Sequence, residues 1–276
     1  LLLVLVLWPS IAAAAERYVV IISGASGGEQ YAILQQKWRE DLEMVLRGRL
    51  RIPVANITTL DQDHDGAARS TGANVRRLFS DLRRQVTRDD MLLIVLLGHG
   101  SINGSDAKFN LVGPDLTAAE WRGLIDPIAG QVVLVNTTES SFPFIDSLSR
   151  RGRVVITATD SSAERFATIF PEFFVRSLGD PGSDFDKNGR VSIWEAFVAT
   201  SAGVKTFYEQ RGQLSTERAL LDDDGDRVGR EAVAPGNDGA LARTIHFDPP
   251  RTQTLTDPAV AALEAERDRL QKALDE

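Results

Sequence analysis

The clearest chemical pattern in the sequence is a run of oxygen-bearing residues between positions 184 and 195. The candidate ligands are Asp184, Asp186, Asn188, Arg190 (through its backbone carbonyl), Ser192 and Glu195. Calcium is held in proteins by about six to eight oxygen atoms from carboxylates, amides, carbonyls and water. Alternate positions along a tight loop can bring such oxygens around one ion, and Gly189 permits the sharp turn. The spacing therefore predicts a calcium site.

This run resembles the calcium-binding loop of EF-hand proteins at every specified position. The resemblance implies that Ser192 acts through a water molecule and that Glu195 binds with both carboxylate oxygens. It implies a dissociation constant between about 10⁻⁶ and 10⁻³ M, and a single loop favours structural calcium over signalling. The alternative is an acidic turn that binds no metal.

Two other acidic segments are weaker candidates for metal binding. Residues 61–66 repeat the first half of the pattern, but Gly72 stands where the last acid belongs. In residues 222–226 the glycine is misplaced for the EF-hand turn. Solvated turns are the favoured interpretation of both segments. His64 and His246 have no histidine or cysteine at ligand spacing, so no zinc site is predicted.

A different chemistry is suggested at the ends of two apolar runs. His99 follows the run 91–97, and a polar break at 136–141 follows the run 132–135. Ligands of parallel sheets bind beyond the carboxyl ends of the strands, where both breaks would lie. A histidine flanked by glycines has its ring free for acid–base work. A purely structural histidine is the alternative.

The order of these segments resembles that of the caspase-fold cysteine peptidases, most closely their legumain-like branch. The resemblance spans about residues 17–180. It rests on four stretches of sequence: 19–28 with the helix that follows, 92–101, 132–141, and 153–159 with Glu164.

The resemblance assigns roles to single residues and also shows where they depart from the family. It implies that His99 is the general base, that Gly100 contributes an amide to the oxyanion site, and that Thr138 replaces the nucleophilic cysteine. Ser26 falls where legumain-like enzymes carry an asparagine that orients the histidine. Because a hydroxyl ionises far less readily than a thiol, we expect a degenerate peptidase that binds a peptide or protein in the former substrate cleft. An active hydrolase with Thr138 or a neighbouring serine such as Ser140 as nucleophile stays open.

The elements that position these residues alternate apolar strands with amphipathic helices. The apolar runs lie at 18–22, 91–97, 132–135 and 153–159, with a weaker strand near 56–60. Continuous apolar strands separated by helices predict an α/β fold whose mostly parallel sheet is covered on both faces. The glycine-rich segment 24–28 lacks the P-loop and dinucleotide signatures, so a tight turn is favoured there over a nucleotide site.

Composition limits the classes of function. The chain has 276 residues, with 31 Lys and Arg against 39 Asp and Glu, and a net charge of −8. The acidic balance argues against nucleic acid as a partner, because phosphate binding needs clustered cations. The sequence contains no cysteine, which excludes disulfides, thiolate metal sites and a cysteine nucleophile.

The two ends of the chain carry their own predictions. Residues 1–8 are apolar and are followed by alanines up to Ala15, which is typical of a secretory signal peptide; a buried strand is the alternative. The protein is thus expected to be exported, periplasmic or secreted, without a transmembrane segment in the mature chain. Leu263 and Leu270 are seven residues apart, as in a coiled coil that joins copies into an oligomeric scaffold, although a solvated helical tail fits equally. The predicted organisation is a signal peptide (1–15), a legumain-like domain (16–180), a calcium loop with a helical extension (181–250) and a helical tail (252–276).

Overall fold

The computed structural model describes residues 15–103, 106–161, 164 and 166–249, and seven tail positions: 262, 263, 265, 266, 269, 270 and 273. The predicted signal peptide, apart from Ala15, lies outside the described residues, and so does most of the tail. The described tail positions are helical, and Leu263 and Leu270 are exposed there. Within the described residues, no helix has the length and apolar character needed to span a bilayer.

The described part of the chain contains nine strands. They are β1 (Arg17–Ser23), β2 (Ile57–Leu60), β3 (Met91–Leu97), β4 (Gly100–Asn103), β5 (Asp106–Phe109), β6 (Leu116–Thr117), β7 (Gln131–Asn136), β8 (Arg153–Thr157) and β9 (Leu220–Asp222). Six of them form one sheet in the order β2-β1-β3-β7-β8-β9. Its first five strands are parallel, and β9 is antiparallel to β8. The predicted α/β class with a mostly parallel sheet is confirmed.

Seven α-helices accompany these strands in the described residues. They are α1 (Glu29–Gly48), α2 (Gly72–Gln85), α3 (Ala118–Ile125), α4 (Pro143–Leu148), α5 (Phe170–Gly179), α6 (Ile193–Glu209) and α7 (Ala240–Thr244). Helices α1, α5, α6 and α7 cover one face of the sheet, and α2, α3 and α4 cover the other. Each face has its own apolar core, which explains why the central strands carry continuous apolar runs.

Strand β1 illustrates how this burial shapes the sequence. Val19 and Ile21 point into the core beneath α1, whereas Val20 and Ile22 point into the core beneath α2 and α3. All four side chains are almost fully buried. A strand exposed on one face would instead alternate apolar and polar residues.

The strand order reverses direction between β1 and β3, since β1 leads outward to β2 and β3 leads outward to β7. The loops that leave β1 and β3 therefore diverge and open a crevice at the carboxyl edge of the sheet. The backbone N–H of Gly24, just after β1, donates to the carbonyl of Leu97 at the end of β3 (2.8 Å). This contact places the loop after β1 beside His99.

A second, smaller sheet was not foreseen from the sequence. Strands β4, β5 and β6 form an antiparallel three-stranded sheet that starts directly after His99. Gly100 is the first residue of β4 and pairs with Phe109 of β5. The segment that follows His99 is therefore fixed by strand pairing as soon as it leaves the main sheet.

The segment 181–250, predicted as an extension, is integrated into the main sheet. Strand β9 is its sixth strand, and α6 shares a core with α1 and α5. Ser192 caps the start of α6 in a capping box with Glu195, in which each side chain bonds the other residue's backbone N–H.

Candidate functional site

The crevice at the carboxyl edge of the sheet holds a cavity of about 370 Å³. Loops after β1, β3 and β7 contribute its walls through Gly27, His99 and Glu139, and Tyr31 from α1 and Asn110 complete them. The rings of Tyr31 and His99 meet edge to face with centroids 4.7 Å apart. The structure therefore places His99 at the site that the fold reserves for ligands.

His99 is held by a carboxylate of the chain itself. Its Nδ1 lies 2.8 Å from Oε1 of Glu139, and the two side chains are only 16% and 9% exposed. This hydrogen bond raises the pKa of His99 above its usual range, against the opposing effect of burial. The charge of Glu139 and the backbone of Ser26 also raise the pKa of His99.

The other two polar atoms of this pair have no partner. Within the described residues, Nε2 of His99 and Oε2 of Glu139 are buried and make no hydrogen bond. A buried polar atom without a partner costs about 1–3 kcal/mol. In the protonated imidazole Nε2 is a donor, and the carboxylate oxygen is an acceptor. The pair thus offers one donor and one acceptor.

Thr138, the residue at the predicted nucleophile position, points elsewhere. It is fully buried, and its hydroxyl lies within hydrogen-bonding distance of Asn136 Oδ1 (2.8 Å) and the carbonyl of Glu139 (3.0 Å). Asn136 Oδ1 also accepts the backbone N–H of Thr138 (3.1 Å). The hydroxyl is therefore engaged by its own loop, and no hydrogen bond among the described residues joins it to His99.

The neighbouring serine is also engaged. Ser140 has a left-handed backbone (φ 56°), and its hydroxyl donates to the carbonyl of Glu164 (2.9 Å). The structure thus brings Glu139 to the imidazole, rather than Thr138 or Ser140. Glu139 was missed by sequence reasoning, although it lies within the polar break that was singled out.

Gly100, the predicted oxyanion residue, and Ser26, which stands where the family carries an orienting asparagine, both have structural roles. A Cβ at Gly100 would lie 2.3 Å from the carbonyl of Glu139 and 2.7 Å from Thr138 Oγ1, so only glycine fits. Ser26 is buried, and its backbone N–H donates to Gln62 Oε1 (2.9 Å). No described hydrogen bond links the Ser26 side chain to His99.

The first loop, which we define as residues 184–195, gathers its carboxylates as the sequence predicts. Oxygens of Asp184, Asp186 and Glu195 all lie within 4.8 Å of one another. Glu195 Oε1 accepts the backbone N–H groups of Phe185 (2.7 Å) and Asp186 (3.2 Å), so the last ligand position is tied to the first turn. Asp184 Oδ1 is buried without a hydrogen-bond partner among the described residues.

The other predicted ligand positions support this turn. Asn188 Oδ1 accepts the backbone N–H of Arg190 (2.8 Å), and the Arg190 side chain pairs with Asp248 (3.1 Å). Ser192 Oγ lies 2.8 Å from Glu195 Oε2. Asn188, Arg190 and Ser192, predicted as ligands, thus shape the loop around the three carboxylates.

The electrostatics of the first loop are those of an uncompensated acidic cluster. Burial raises the pKa of Asp186, and the nearby charges of Glu195 and Asp184 raise it further. No ion pair between described residues reaches Asp184, Asp186 or Glu195. Like charges held this close favour either protonation or a bound cation.

The two weaker acidic segments are not simply solvated. Asp61 is buried and pairs with Arg39 (2.6 Å) and His64 (2.7 Å), so it serves the fold. The prediction of a solvated turn is wrong for Asp222 and Asp223, which are buried because β9 carries them into the main sheet.

Asp222 also belongs to a second group of converging carboxylates. Its oxygens lie within 4.8 Å of those of Asp224 and Asp238. Burial raises the pKa of Asp238 to about 7, and the charges of Asp222 and Asp224 contribute to the rise. Sequence reasoning missed Asp238, which lies far along the chain from the other two.

Comparisons with known proteins do not identify a function. No protein-family model matches the sequence, and no curated protein matches it. The solved structure of protein GSU0716 from Geobacter sulfurreducens is similar with a TM-score of 0.48 and 13% sequence identity, covering 86% of this chain and 100% of that one. A likeness at this level carries no functional information.

Proposed function

We propose that this protein is an exported, calcium-stabilised binding domain of the caspase-like, legumain-like type that has lost hydrolytic chemistry. The cleft beside His99 binds a segment of peptide or protein. The observation that carries the proposal is the Thr138 hydroxyl, which is buried and bonded within its own loop and not to the imidazole.

The loss of hydrolysis follows from what a base must do. A general base has to reach the proton of its nucleophile, at about 2.6–3.2 Å or through one water. Here Glu139 bonds Nδ1 and leaves Nε2 as the possible base, but the hydroxyl of Thr138 is buried and bonded within its own loop, and no hydrogen bond among the described residues joins it to the imidazole. The raised pKa of His99 also favours the protonated imidazole, a form that cannot accept a proton.

Peptide binding is supported by the unpartnered atoms of the same pair. His99 Nε2 supplies a donor and Glu139 Oε2 an acceptor. A peptide bond presents the complementary acceptor and donor, since each carries a carbonyl and an N–H. Tyr31 adds an aromatic wall to the cavity, which suits an adjacent side chain.

Calcium enters the proposal as a structural ion at the first loop. The loop connects α5 to α6, and the N–H of Ile193, the first residue of α6, donates to the carbonyl of Ile245 (2.9 Å). A cation bound by Asp184, Asp186 and Glu195 would therefore fix the start of α6 and the chain packed against it. Export fits this role, because extracellular modules bind calcium at about 10⁻⁴–10⁻³ M.

Reaction with a phosphonyl-transfer probe tests the loss of hydrolysis. The full chain is incubated with a fluorophosphonate in millimolar calcium, beside the His99→Ala variant and a serine hydrolase as positive control. We expect no labelling of the chain. Labelling of the wild type that disappears in His99→Ala would overturn the proposal in favour of an active hydrolase.

Selection from a random peptide library tests the cleft. Selected peptides should bind the full chain, and Tyr31→Ala and Glu139→Gln should each weaken binding about tenfold or more, as expected for a contact at the centre of a site. Ile33→Ala is the matched control, because Ile33 is exposed on the same helix and does not line the cavity. Peptides that bind all variants alike would place the binding surface elsewhere.

A further inference from the structure

The second group of carboxylates belongs to a turn that we define as the second loop, residues 222–228. Asp222, Asp224 and Asp226 take alternate positions there, and Asp222 ends strand β9. Counting Asp222 as position one, these acids fall at positions one, three and five. Asp184, Asp186 and Asn188 hold the same three positions in the first loop.

The backbones of the two loops follow the same path. In the first loop, Lys187 at position four (φ 61°) and Gly189 at position six (φ 85°) are left-handed. In the second loop, Gly225 at position four (φ 85°) and Arg227 at position six (φ 69°) are left-handed too. Left-handed backbone is uncommon outside glycine, so its occurrence at the same two positions of both loops indicates a shared turn.

The internal hydrogen bonds of the loops also correspond. In the second loop the N–H of Asp226 donates to Asp224 Oδ1 (2.8 Å), and the N–H of Val228 donates to Asp226 Oδ1 (2.6 Å). In the first loop the same bonds join position five to three (2.9 Å) and position seven to five (2.8 Å). Each turn therefore presents its oxygens inward in the same way.

The last acid of the second loop comes from a distant part of the chain. Asp238 Oδ1 accepts the backbone N–H groups of Asp223 (2.9 Å) and Asp224 (3.3 Å), at positions two and three. In the first loop Glu195 accepts the N–H groups of the same two positions. Asp238 therefore occupies the place of the twelfth-position acid, although it lies sixteen residues after Asp222.

A buried oxygen of Asp222 without a hydrogen-bond partner indicates a ligand at the second loop. The side chain of Asp222 is fully buried, and its Oδ2 makes no hydrogen bond among the described residues. Its Oδ1, in contrast, accepts from Ser149 Oγ (2.7 Å) and the N–H of Gly225 (3.1 Å). Asp184 has the same orphaned oxygen at position one of the first loop. A buried carboxylate oxygen without a donor is costly unless a cation meets it.

We propose that the carboxylates of Asp222, Asp224 and Asp238 form a second calcium site. Asp226 and the carbonyl of Val228 complete its ligand set, as positions five and seven do in loops of this type. The donors are oxygens alone, which favours calcium over zinc or copper, whose sites use nitrogen or sulfur. No ion pair between described residues reaches Asp222, Asp224 or Asp238.

Calcium titration of the full chain by calorimetry tests this site. The metal-free wild type should bind two calcium ions. Asp238→Asn should bind one, Glu195→Gln should bind one, and the double variant should bind none. Asp89→Asn is the charge-matched control, because Asp89 is exposed in the turn between α2 and β3, and it should still bind two.

Further variants and outcomes keep the two sites separable. If Asp238→Asn does not fold, as judged by circular dichroism, Asp224→Asn takes its place, because Asp224 is only partly buried. One ion that Glu195→Gln removes from the wild type would overturn the second site and leave the first. Two ions in both Asp238→Asn and Asp224→Asn would overturn it as well. One ion that only Asp238→Asn or Asp224→Asn removes would support the second site and refute the first.

Discussion

The cleft and the two acidic loops differ in how they accommodate buried carboxylates. In the cleft, Glu139 is paired with His99, and a protonated imidazole balances its charge. In the loops, Asp184 and Asp222 lie close to other carboxylates, and each has one oxygen without a hydrogen-bond partner among the described residues. The carboxylate in the cleft therefore has a counter-charge within the protein, whereas the carboxylates of the loops have none among the described residues.

This difference indicates which class of ligand each region favours. The pair of His99 and Glu139 gains little from a cation. Its unpartnered donor, Nε2, and acceptor, Oε2, instead suit a neutral polar group. A cluster of carboxylates without a counter-charge gains most from a cation. Binding removes the repulsion between the carboxylates and gives the unpartnered oxygen a ligand. The predictions below test this contrast, beginning with the largest expected effect.

Removing calcium should lower the melting temperature more than any single substitution at the cleft. With calcium at 100 times the dissociation constant, each site adds about 2.7 kcal/mol to the free energy of unfolding, so two sites add about 5 kcal/mol. At about 2–4 °C per kcal/mol, calorimetric scans with calcium and with a chelator should differ by about 10–20 °C.

Magnesium at the same concentration is the control for this experiment. It demands octahedral geometry and gives up its water reluctantly, so it should raise the melting temperature much less. Equal melting temperatures with calcium and with chelator would mean that neither loop binds the ion.

Glu139→Gln should destabilise the protein in a pH-dependent manner. The bond to protonated His99 is a hydrogen bond to a charged group, worth about 1.5–3 kcal/mol. Because the folded pKa of His99 is raised, this stabilisation is complete below the unfolded pKa of about 6.5 and is lost as the pH rises through the folded value.

Urea unfolding of wild type and variant at several pH values measures this effect. The difference in the free energy of unfolding should be largest near pH 6 and should shrink above the folded pKa, and NMR should show a lowered His99 pKa in the variant. Glu40→Gln, an exposed change on α1, supplies the baseline. A difference that grows with pH would refute the assigned charge state.

Thr138→Cys should yield an unreactive thiol and not a restored peptidase. The chain has no other cysteine, so alkylation reports this position alone. A buried thiol is inert, and we expect alkylation about tenfold or more slower than in Ser80→Cys, whose side chain is exposed on α2. Fast, calcium-dependent alkylation that requires His99 would show that a catalytic geometry survives.

Arg227→Gly should stabilise the protein slightly. Arg227 has a left-handed backbone, which costs a residue with a Cβ about 1–2 kcal/mol, and glycine removes this cost. Its greater freedom in the unfolded state takes back part of the gain, so a net increase of about 0.5–1 kcal/mol is expected in urea unfolding.

Gly225→Ala is the converse of this change. It would place a Cβ 2.4 Å from the backbone nitrogen of Arg151 in a left-handed residue, so it should destabilise the fold and weaken the second site. Stabilisation by Gly225→Ala, or destabilisation by Arg227→Gly, would contradict the assigned turn.

Sequence reasoning succeeded where the information is local. Strands β1, β3, β7 and β8 were predicted because burial on both faces leaves continuous apolar runs. The first loop was predicted because all its acids lie within twelve residues and its glycine is at the turn.

Sequence reasoning failed where distant residues decide the outcome. Glu139 lies forty residues from His99, and only the adjacency of β3 and β7 brings the two together. Asp238 lies sixteen residues after Asp222, outside any twelve-residue loop pattern, and only the fold shows that the two carboxylates converge. The oxyanion role of Gly100 stays a prediction. The need for glycine at this position is already explained by the Glu139 carbonyl, which would clash with a Cβ there.

The distant origin of Asp238 bears on the order in which the molecule is assembled. The first loop can close while the chain is still emerging, because loop closure over a few residues costs little entropy. We expect the second loop to close later, because Asp222 ends a strand whose partner, β8, lies far earlier in the chain, and non-local pairing is slow. If the second site binds calcium as we propose, the ion would add to the stability of the molecule only once this last part of the fold has formed.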